Sequence, residues 1–494
     1  MDKEIEIDAL VVGAGMGGIY ATYRLSQIGL DVKCIDIAGD VGGTWYWNTY
    51  PGAMSDTESY LYRYSWDKDD LQTYPWSNHY LYQPEILQYL CHIVDKHGLR
   101  RFMVFNVEMT SAQWDQDLRR WKVALSTGQS ILARYLVNSL DLPGLGGMTR
   151  SLLRAGKLGS LAIGSTGIQV MTAVAPIVSE LKSFQRHPHA YREEISSNYD
   201  SIWQNVRSSA VGFGVPEVSR KTMEATLQER RKAFQEVWDQ GNGFRFMFSA
   251  FGDLTTDEVA NEEACEFIRG KIDDTVKDPR KAAILKPRDL YARRPLCDSG
   301  YYQIYNRDNV DVIDLEMNPI VRVTEQGVAM SDGTIHQLAV LIFATGFDAI
   351  EGNYLRLGIT GRHGKTIQEH WQNGPTAYGG IACSGFPNMF LVSGPQAPFA
   401  NFPPVIESEI DFIMSCIDNA ERKRADLKSP HATVEVTQEA ELEWSALCER
   451  LVEGSLFKKT NTTTNFYFGG LGGYRKWVDA VMADDLRGLK FLTS

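Results

Sequence analysis

Three glycines and an acid come first: Gly13, Gly15 and Gly18 in GxGxxG spacing, with Asp36 lying 23 residues beyond Gly13. Gly13 permits a tight turn, Gly15 lets a pyrophosphate approach the backbone, and Gly18 lets the following helix pack on its sheet. The start of that helix offers N–H groups and a positive dipole end to phosphates. An acid at the place of Asp36 meets a ribose hydroxyl. The chemistry is dinucleotide binding; the alternative is a glycine-rich turn in some other α/β sheet. A second run is unusually aromatic, from Gly43-Thr44-Trp45-Tyr46-Trp47-Asn48 through Tyr50 to Tyr60 and Tyr62. It reads either as a buried aromatic loop or as a wall for a flat cofactor ring.

These groups need elements to hold them. Ile5–Val12 is apolar and β-rich, Ile19–Ile28 has helical periodicity, and Leu30–Ile37 is a second strand ending near Asp36. That is a β–loop–α–β unit with the glycines in its first turn. The 494 residues predict two to four domains of the usual 100–200 residues. With 50 Lys+Arg against 62 Asp+Glu the net charge is −12, which disfavours a nucleic-acid partner or an anionic membrane surface. Seven cysteines without a CxxC pair point to a reduced, cytoplasmic protein. The longest apolar stretch, around 338–347, is too short to span a bilayer, and the N-terminus does not read as a signal peptide. His187, His189, His363 and His370 lack ligand spacing with Cys or carboxylates, so no metal site is expected.

The aromatic run belongs to a longer signature, GGTWYWNxYPGAxxDxESYxYxYS, which follows GAGxGG and resembles flavin-dependent Baeyer–Villiger monooxygenases. Segments at 83–90, 243–261, 267–272, 293–310, 343–349, 385–395 and 466–475 also look like that family. The resemblance implies an α/β fold of two interrupted Rossmann-like dinucleotide-binding domains with a helical insert. Residues 1–139 and 345–494 would form the FAD-binding domain, 150–212 and 296–344 an NADPH-type domain, and 213–295 a helical subdomain. The family's reaction reduces FAD with NADPH, activates oxygen at the flavin and transfers one oxygen atom to a ketone. An arginine stabilises negative charge and holds the nicotinamide, and a carboxylate orients the arginine. By resemblance Asp56 is the carboxylate and Arg294 the arginine, with an ordinary interdomain salt bridge as the alternative. Gly43, Thr44, Trp45, Tyr62, Gly394, Pro395 and 401–407 match flavin-side positions, and Met109 falls where a backbone group meets the adenine. Tyr46, Trp47, Asn48, Met54, Phe399 and Phe402 are the expected substrate-pocket residues. Their apolar and aromatic character favours a hydrophobic small molecule such as a terpenoid or polyketide.

The second nucleotide site departs from the family in three places. No FxGxxxHxxxWP fingerprint occurs between Leu136 and Gly167, and the ATG expected near Asn138-Ser139-Leu140 is lost. The second turn, Ala162-Ile163-Gly164-Ser165-Thr166-Gly167, has alanine for its first glycine, where a Cβ crowds the turn. A nicotinamide-side loop is missing between Ser455 and Phe466, with Thr463 where a Trp is expected. Arg186 and Arg293 read as remnants of 2′-phosphate recognition.

The expectation that follows is an FAD enzyme for which NADPH is doubtful. Its chemistry would be an NADPH-independent cyclisation, isomerisation, rearrangement or oxidase reaction, with Asp56 as a proton donor in an apolar pocket. The alternatives are a true NADPH- and O2-dependent Baeyer–Villiger monooxygenase and a non-catalytic flavoprotein. No oligomeric state is legible.

Overall fold

The computed structural model describes residues 5–140, 158–161, 165–175, 189–295, 300–338, 340–344, 351–460 and 466–492. The chain opens with β1 (Ile5–Val12), α1 (Met16–Gln27) and β2 (Val32–Asp36). It continues through α2 (Thr44–Trp47), β3 (Met54–Glu58), α3 (Lys68–Thr73), β4 (Tyr80–Tyr82), α4 (Gln83–Lys96) and β5 (Met103–Phe105). A meander follows, β6 (Met109–Asp115), β7 (Arg120–Leu125) and β8 (Ser130–Asn138). The second unit contains β9 (Leu158–Leu161), α5 (Ser165–Val174) and α6 (His189–Ser208). Helices α7 (Leu227–Gln240), α8 (Gly243–Ser249), α9 (Glu258–Thr275), α10 (Pro279–Leu285) and α11 (Tyr301–Ile304) come next. Then come β10 (Ile320–Thr324), β11 (Gly327–Met330), β12 (Ile335–Gln337) and β13 (Val340–Phe343). The chain closes with α12 (Gly352–Arg356), β14 (Gly358–Thr360), α13 (Ile367–His370), β15 (Met389–Leu391) and α14 (Phe402–Asp426). After these lie β16 (Thr433–Val436), α15 (Gln438–Glu453), α16 (Gly470–Ala483) and β17 (Leu489–Leu492).

The main sheet runs β14-β6-β7-β8-β1-β2-β5, with β15 also on β8. Strand β1 is its centre, parallel to β2 on one side and to β8 on the other. A strand buried on both faces must be apolar on both, and β1 is so over Ala9–Val12, after an outer half that carries Glu6 and Asp8. Its Ala9 and Val11 meet Ile19 and Leu25 of α1, Ile93 of α4, and Ile410 and Ile413 of α14. Its Leu10 and Val12 join Trp121, Val123, Ile359 and Phe386 on the opposite face. A mixed sheet covered on both faces therefore holds the carboxyl ends of β1, β2 and β8 together, where dinucleotides bind.

The second unit is smaller: β9 and β13 pair in parallel, Leu158 with Val340 through Leu161 with Phe343. Helix α5 packs by Ile168 and Ala175 into the core of the helical insert, with Phe234, Phe246, Phe251, Ile268 and Ile272. Helix α7 starts on a capping box: Thr226 accepts from the Glu229 N–H, and Glu229 accepts from the Thr226 N–H. The stretch 243–261 is two helices, with turns from Ala250 to Asp257 and a new N-cap at Asp257 for α9. Helix α6 packs through Trp203 and Val206 onto Tyr60, Leu61, Val405 and Leu471.

Candidate active site

The first turn is built as its glycines require. Gly13 has φ +102°, its N–H donates to the Ile35 carbonyl at 2.8 Å, and an added Cβ would fall on the Ser139 carbonyl. At Gly18 a Cβ would fall on the Gly13 carbonyl. Gly15 is the N-cap of α1, with no side-chain cap and no acid in the first turn, while Met16, Gly17 and Gly18 are buried. A buried, uncapped helix start is an anion site in need of its anion.

Asp36 is buried, and its carboxylate accepts from the Ala14 N–H at 2.6 Å and the Ala38 N–H at 2.7 Å. Burial pushes its pKa up against those two bonds. The residue expected on a ribose hydroxyl thus staples two backbone turns. Met109 stands buried at the start of β6, just beyond the segment where the Asn106 and Val107 N–H groups donate to the Ala38 and Asp36 carbonyls.

The aromatic run divides. Gly43, at φ 51°, leads into the single turn of α2, which begins at Thr44. The Trp45 indole donates to the Tyr62 hydroxyl at 3.3 Å with the rings edge to face, and Gln83 holds the Trp45 carbonyl at 2.5 Å. The Tyr46 hydroxyl accepts from the Gly39 N–H at 3.2 Å. Trp47 meets Tyr46 edge to face at 5.1 Å. Asn48 is buried; its amide donates to the Thr44 carbonyl at 3.0 Å, and its Oδ1 is buried with no partner among the described residues.

Gly394 approaches the Gly380 carbonyl so closely that a Cβ would lie 2.5 Å from it, and Pro395 beside it is buried. The loop is then pinned by Phe399 N–H to Tyr467 O at 3.0 Å and Tyr467 N–H to Ala397 O at 2.8 Å. Phe399 stacks on Phe468 at 5.2 Å and touches Phe457 and Phe466. Phe402 is 42% exposed on the first turn of α14.

Asp56 and Arg294 meet. The Arg294 Nε–H and Nη2–H donate to the two Asp56 oxygens at 2.9 Å each. The guanidinium lies 5.5 Å from the Phe244 ring centre. Asp56 acts here as a two-point acceptor, a correction to its reading as a proton donor. Arg293 instead forms an exposed pair with Asp289 at 3.0 Å. Sequence reasoning missed two residues at this site. Glu58, two residues from Asp56, is buried and accepts from Arg245 at 3.3 Å and pairs with His79 at 3.1 Å. Burial opposes its ionisation, but His79, Tyr60 and Arg245 outweigh that and hold its pKa low. Gln169 of α5 grips Met54 by both backbone groups, at 3.4 and 3.1 Å, and accepts from the Tyr50 hydroxyl at 3.0 Å. Met54 therefore sits at the junction of two units. The positions 141–157, 162–164, Arg186 and Thr463 lie outside the described residues.

His370, Cys383 and Glu441 offer ligand atoms within 4.8 Å of one another. Glu441 is already satisfied by His370 at 2.8 Å, Thr376 at 2.7 Å and the Ser384 N–H at 2.7 Å, so the cluster is a buried hydrogen-bonded pin.

A glycine turn feeding an uncapped helix, an aromatic loop and an acid–arginine pair at the junction with a helical insert define a flavin-dependent enzyme of the two-dinucleotide-domain class. Residues 11–74 match the model of an NAD(P)-binding Rossmann-like domain. The chain is 39% identical over 521 positions to a Baeyer-Villiger monooxygenase of Pseudooceanicola batsensis, covering 96% of this chain and 94% of that protein. It is 39% identical over 532 positions to the phenazine N-monooxygenase PhzNO1 of Lysobacter antibioticus, covering 99% and 97%. Its structure is similar to that of cyclohexanone monooxygenase from Rhodococcus sp. Phi1 bound to NADP+, at TM-score 0.92 and 43% identity over all of both chains. The chain belongs to the Baeyer–Villiger family of FAD-dependent monooxygenases.

These relatives favour the alternative, an NADPH- and O2-dependent monooxygenase, over NADPH-independent cyclase, isomerase or oxidase chemistry: they are named monooxygenases, and the structural neighbour holds NADP+. The chain is nevertheless short for its family: 96% of 494 residues leaves about 47 of the 521 positions aligned with the first relative unfilled. No described helix is long and apolar enough to cross a membrane.

FAD fits the first unit. The buried, uncapped start of α1 suits its pyrophosphate, and the orphaned Asn48 Oδ1 follows the loop that would border its ring. When bound, the flavin supplies the redox chemistry, taking a hydride and passing electrons to oxygen.

Proposed function

We propose that the chain is an NADPH- and O2-dependent Baeyer–Villiger monooxygenase that converts a hydrophobic ketone to an ester or lactone. The observation that carries this is the two-point Asp56–Arg294 pair at 2.9 and 2.9 Å. The pair fixes a planar cation along one edge by two hydrogen bonds, so its charge is oriented before the reaction begins. Asp56 orients, Arg294 stabilises negative charge developing on the substrate oxygen, and Phe244 backs the guanidinium. Gly13, Gly15, Gly18, Asp36 and Met109 serve the ADP half of FAD. Gly43, Thr44, Trp45, Tyr62, Gly394 and Pro395 serve its ring side. Trp47, Asn48 and Phe399 border the substrate.

The NADP-bound neighbour supports NADPH as the reductant. Similarity to a phenazine N-monooxygenase makes an aromatic nitrogen the second acceptor to test. The experiment is NADPH oxidation by the yellow protein against cyclic and polycyclic ketones and N-heterocycles, with products traced from 18O2. A ketone that accelerates NADPH oxidation and gains one labelled oxygen supports the proposal. A labelled N-oxide supports the second reading. Substrate conversion that needs neither NADPH nor oxygen overturns both.

A further inference from the structure

Two carboxylates leave β3 toward the helical insert, and each meets an arginine there. Asp56 takes Arg294, and Glu58, two residues on, takes Arg245. The two arginines are linked again on the far side. Arg245 adjoins Phe244 in the first turn of α8, and Phe244 is the ring over which Arg294 lies at 5.5 Å. Strand, acid, arginine, ring, arginine and acid thus close a loop.

The parts of that loop are rigid. Glu58 is 2% exposed, and beyond Arg245 it is held by His79 at 3.1 Å and by the Tyr60 hydroxyl. Phe244 stacks on Phe213 at 3.7 Å and 15°. Asn242 caps α8 by accepting from the Phe244 and Arg245 N–H groups, and the Tyr291 hydroxyl donates to the Gly243 carbonyl at 3.1 Å. Tyr291 lies three residues before Arg294 on the same segment. Among the described residues Glu58 is the only carboxylate that Arg245 meets. Removing one partner of a buried acid–arginine pair is strongly destabilising.

We infer that Glu58 is a positioning residue for Arg294: through Arg245 it fixes the first turn of α8 and the Phe244 ring, so that the two acid–arginine pairs act as one clamp. The inference rests on the proposed role of Arg294, but its geometry can be tested without turnover. The clamp explains why the insert is tied to β3 at two points rather than one. One pair fixes the guanidinium against its carboxylate; the second pair and the ring fix that unit against the helical insert.

The test uses the FAD-loaded full chain and the variants Glu58→Gln, Arg245→Lys and Arg245→Leu. Hydrogen exchange of the resting enzyme reads positions 243–249 and 290–295. In Glu58→Gln and Arg245→Leu both segments exchange about tenfold faster, while FAD content is unchanged and Arg245→Lys restores most of the protection. With ketone, kcat falls about tenfold, equivalent to ~1.4 kcal/mol, KM for ketone stays within about twofold, and a larger share of NADPH is spent on hydrogen peroxide. Exchange as slow as in the native protein overturns the inference whatever the activity. So does Arg245→Leu with native kcat and native peroxide yield. Faster exchange in a protein that oxygenates no ketone upholds the clamp and removes the proposed function instead. If Glu58→Gln does not fold, Arg245→Leu decides, because it leaves Glu58 with His79 and Tyr60.

Discussion

Arg294 and Asp56, 238 residues apart, are joined edge to edge by two parallel hydrogen bonds of 2.9 Å. A lysine at 294 keeps the charge and loses the fork. Arg294→Lys and Asp56→Asn are expected to lower ketone oxygenation by about 100-fold, as removal of one transition-state donor does elsewhere. FAD content is expected to be native in both. Ketone-stimulated NADPH oxidation, with product quantified, is the measurement; rates within about threefold of native in both variants would remove the pair from the reaction.

Gly13 separates two costs that glycine substitutions usually combine. It has φ +102°, and a Cβ there falls on the Ser139 carbonyl. Gly29 has φ +79° with nothing within 4 Å of an added Cβ. Gly29→Ala is expected to cost about 1 kcal/mol of stability and keep its flavin. Gly13→Ala must move the turn proposed to receive the pyrophosphate, so the purified protein is expected to be colourless. The ratio of flavin to protein absorbance checks this, and equal ratios in the two variants contradict the assignment of the turn.

Gln169 is predicted to be the hinge pin between α5 and the loop before β3. Its amide meets both backbone groups of Met54 and the Tyr50 hydroxyl, and Gly52 passes within reach, since a Cβ there would lie 2.5 Å from the Gln169 carbonyl. Gln169→Leu leaves buried polar groups with fewer partners, at about 1–3 kcal/mol. The expected result is a lower thermal midpoint together with slower reduction of the flavin by NADPH. A lower midpoint with native reduction would leave Gln169 as a packing residue.

What could be read from the residues follows their range in the chain. The β1–α1–β2 unit was legible because its glycines, periodicity and acid lie within 36 positions and dictate one local geometry. Asp56 and Arg294 were named from resemblance, because no spacing rule joins residues that meet across a domain junction. Glu58 stood inside the quoted signature without a role; a second carboxylate two residues from the first, in a run otherwise aromatic, was its available signal. The partners of Tyr46 and Phe402 could not be read, because side-chain direction in a four-residue helical turn or at a helix start is set by neighbours such as Gly39. Missing loops around 141–157 and 455–466 were read as loss of a cofactor. A shorter chain shows only that a segment is absent, and the NADP-bound neighbour now weighs on the other side.

The last prediction concerns pH. Glu409 on α14 is fully buried, its Oε2 accepts from the Ser393 N–H at 2.7 Å, and its Oε1 is buried with no partner. Burial raises its pKa to about 8, against the lowering effect of the Ser393 bonds. In the unfolded chain the same group titrates near the ordinary glutamate value. Below that value both states are neutral and folding is not penalised. Between it and about 8 the folded protein keeps a proton that the unfolded chain has lost. Stability therefore falls as pH rises through this window, by at most ~1.4 kcal/mol per pH unit, and levels off above it. Glu409→Gln removes the titration and keeps the shape. Thermal midpoints at about pH 5.5 and pH 8.5 are expected to drop by several degrees more in the native protein than in the variant. Ser393 adjoins Gly394 and Pro395, so the same ionisation strains the loop proposed to border the flavin ring. A shift of the flavin spectrum with pH in the native protein, and its loss in Glu409→Gln, would tie the two together. Parallel midpoint curves would show that the folded protein has already lost this proton across that range, as the unfolded chain has, and that burial does not raise the carboxyl's pKa.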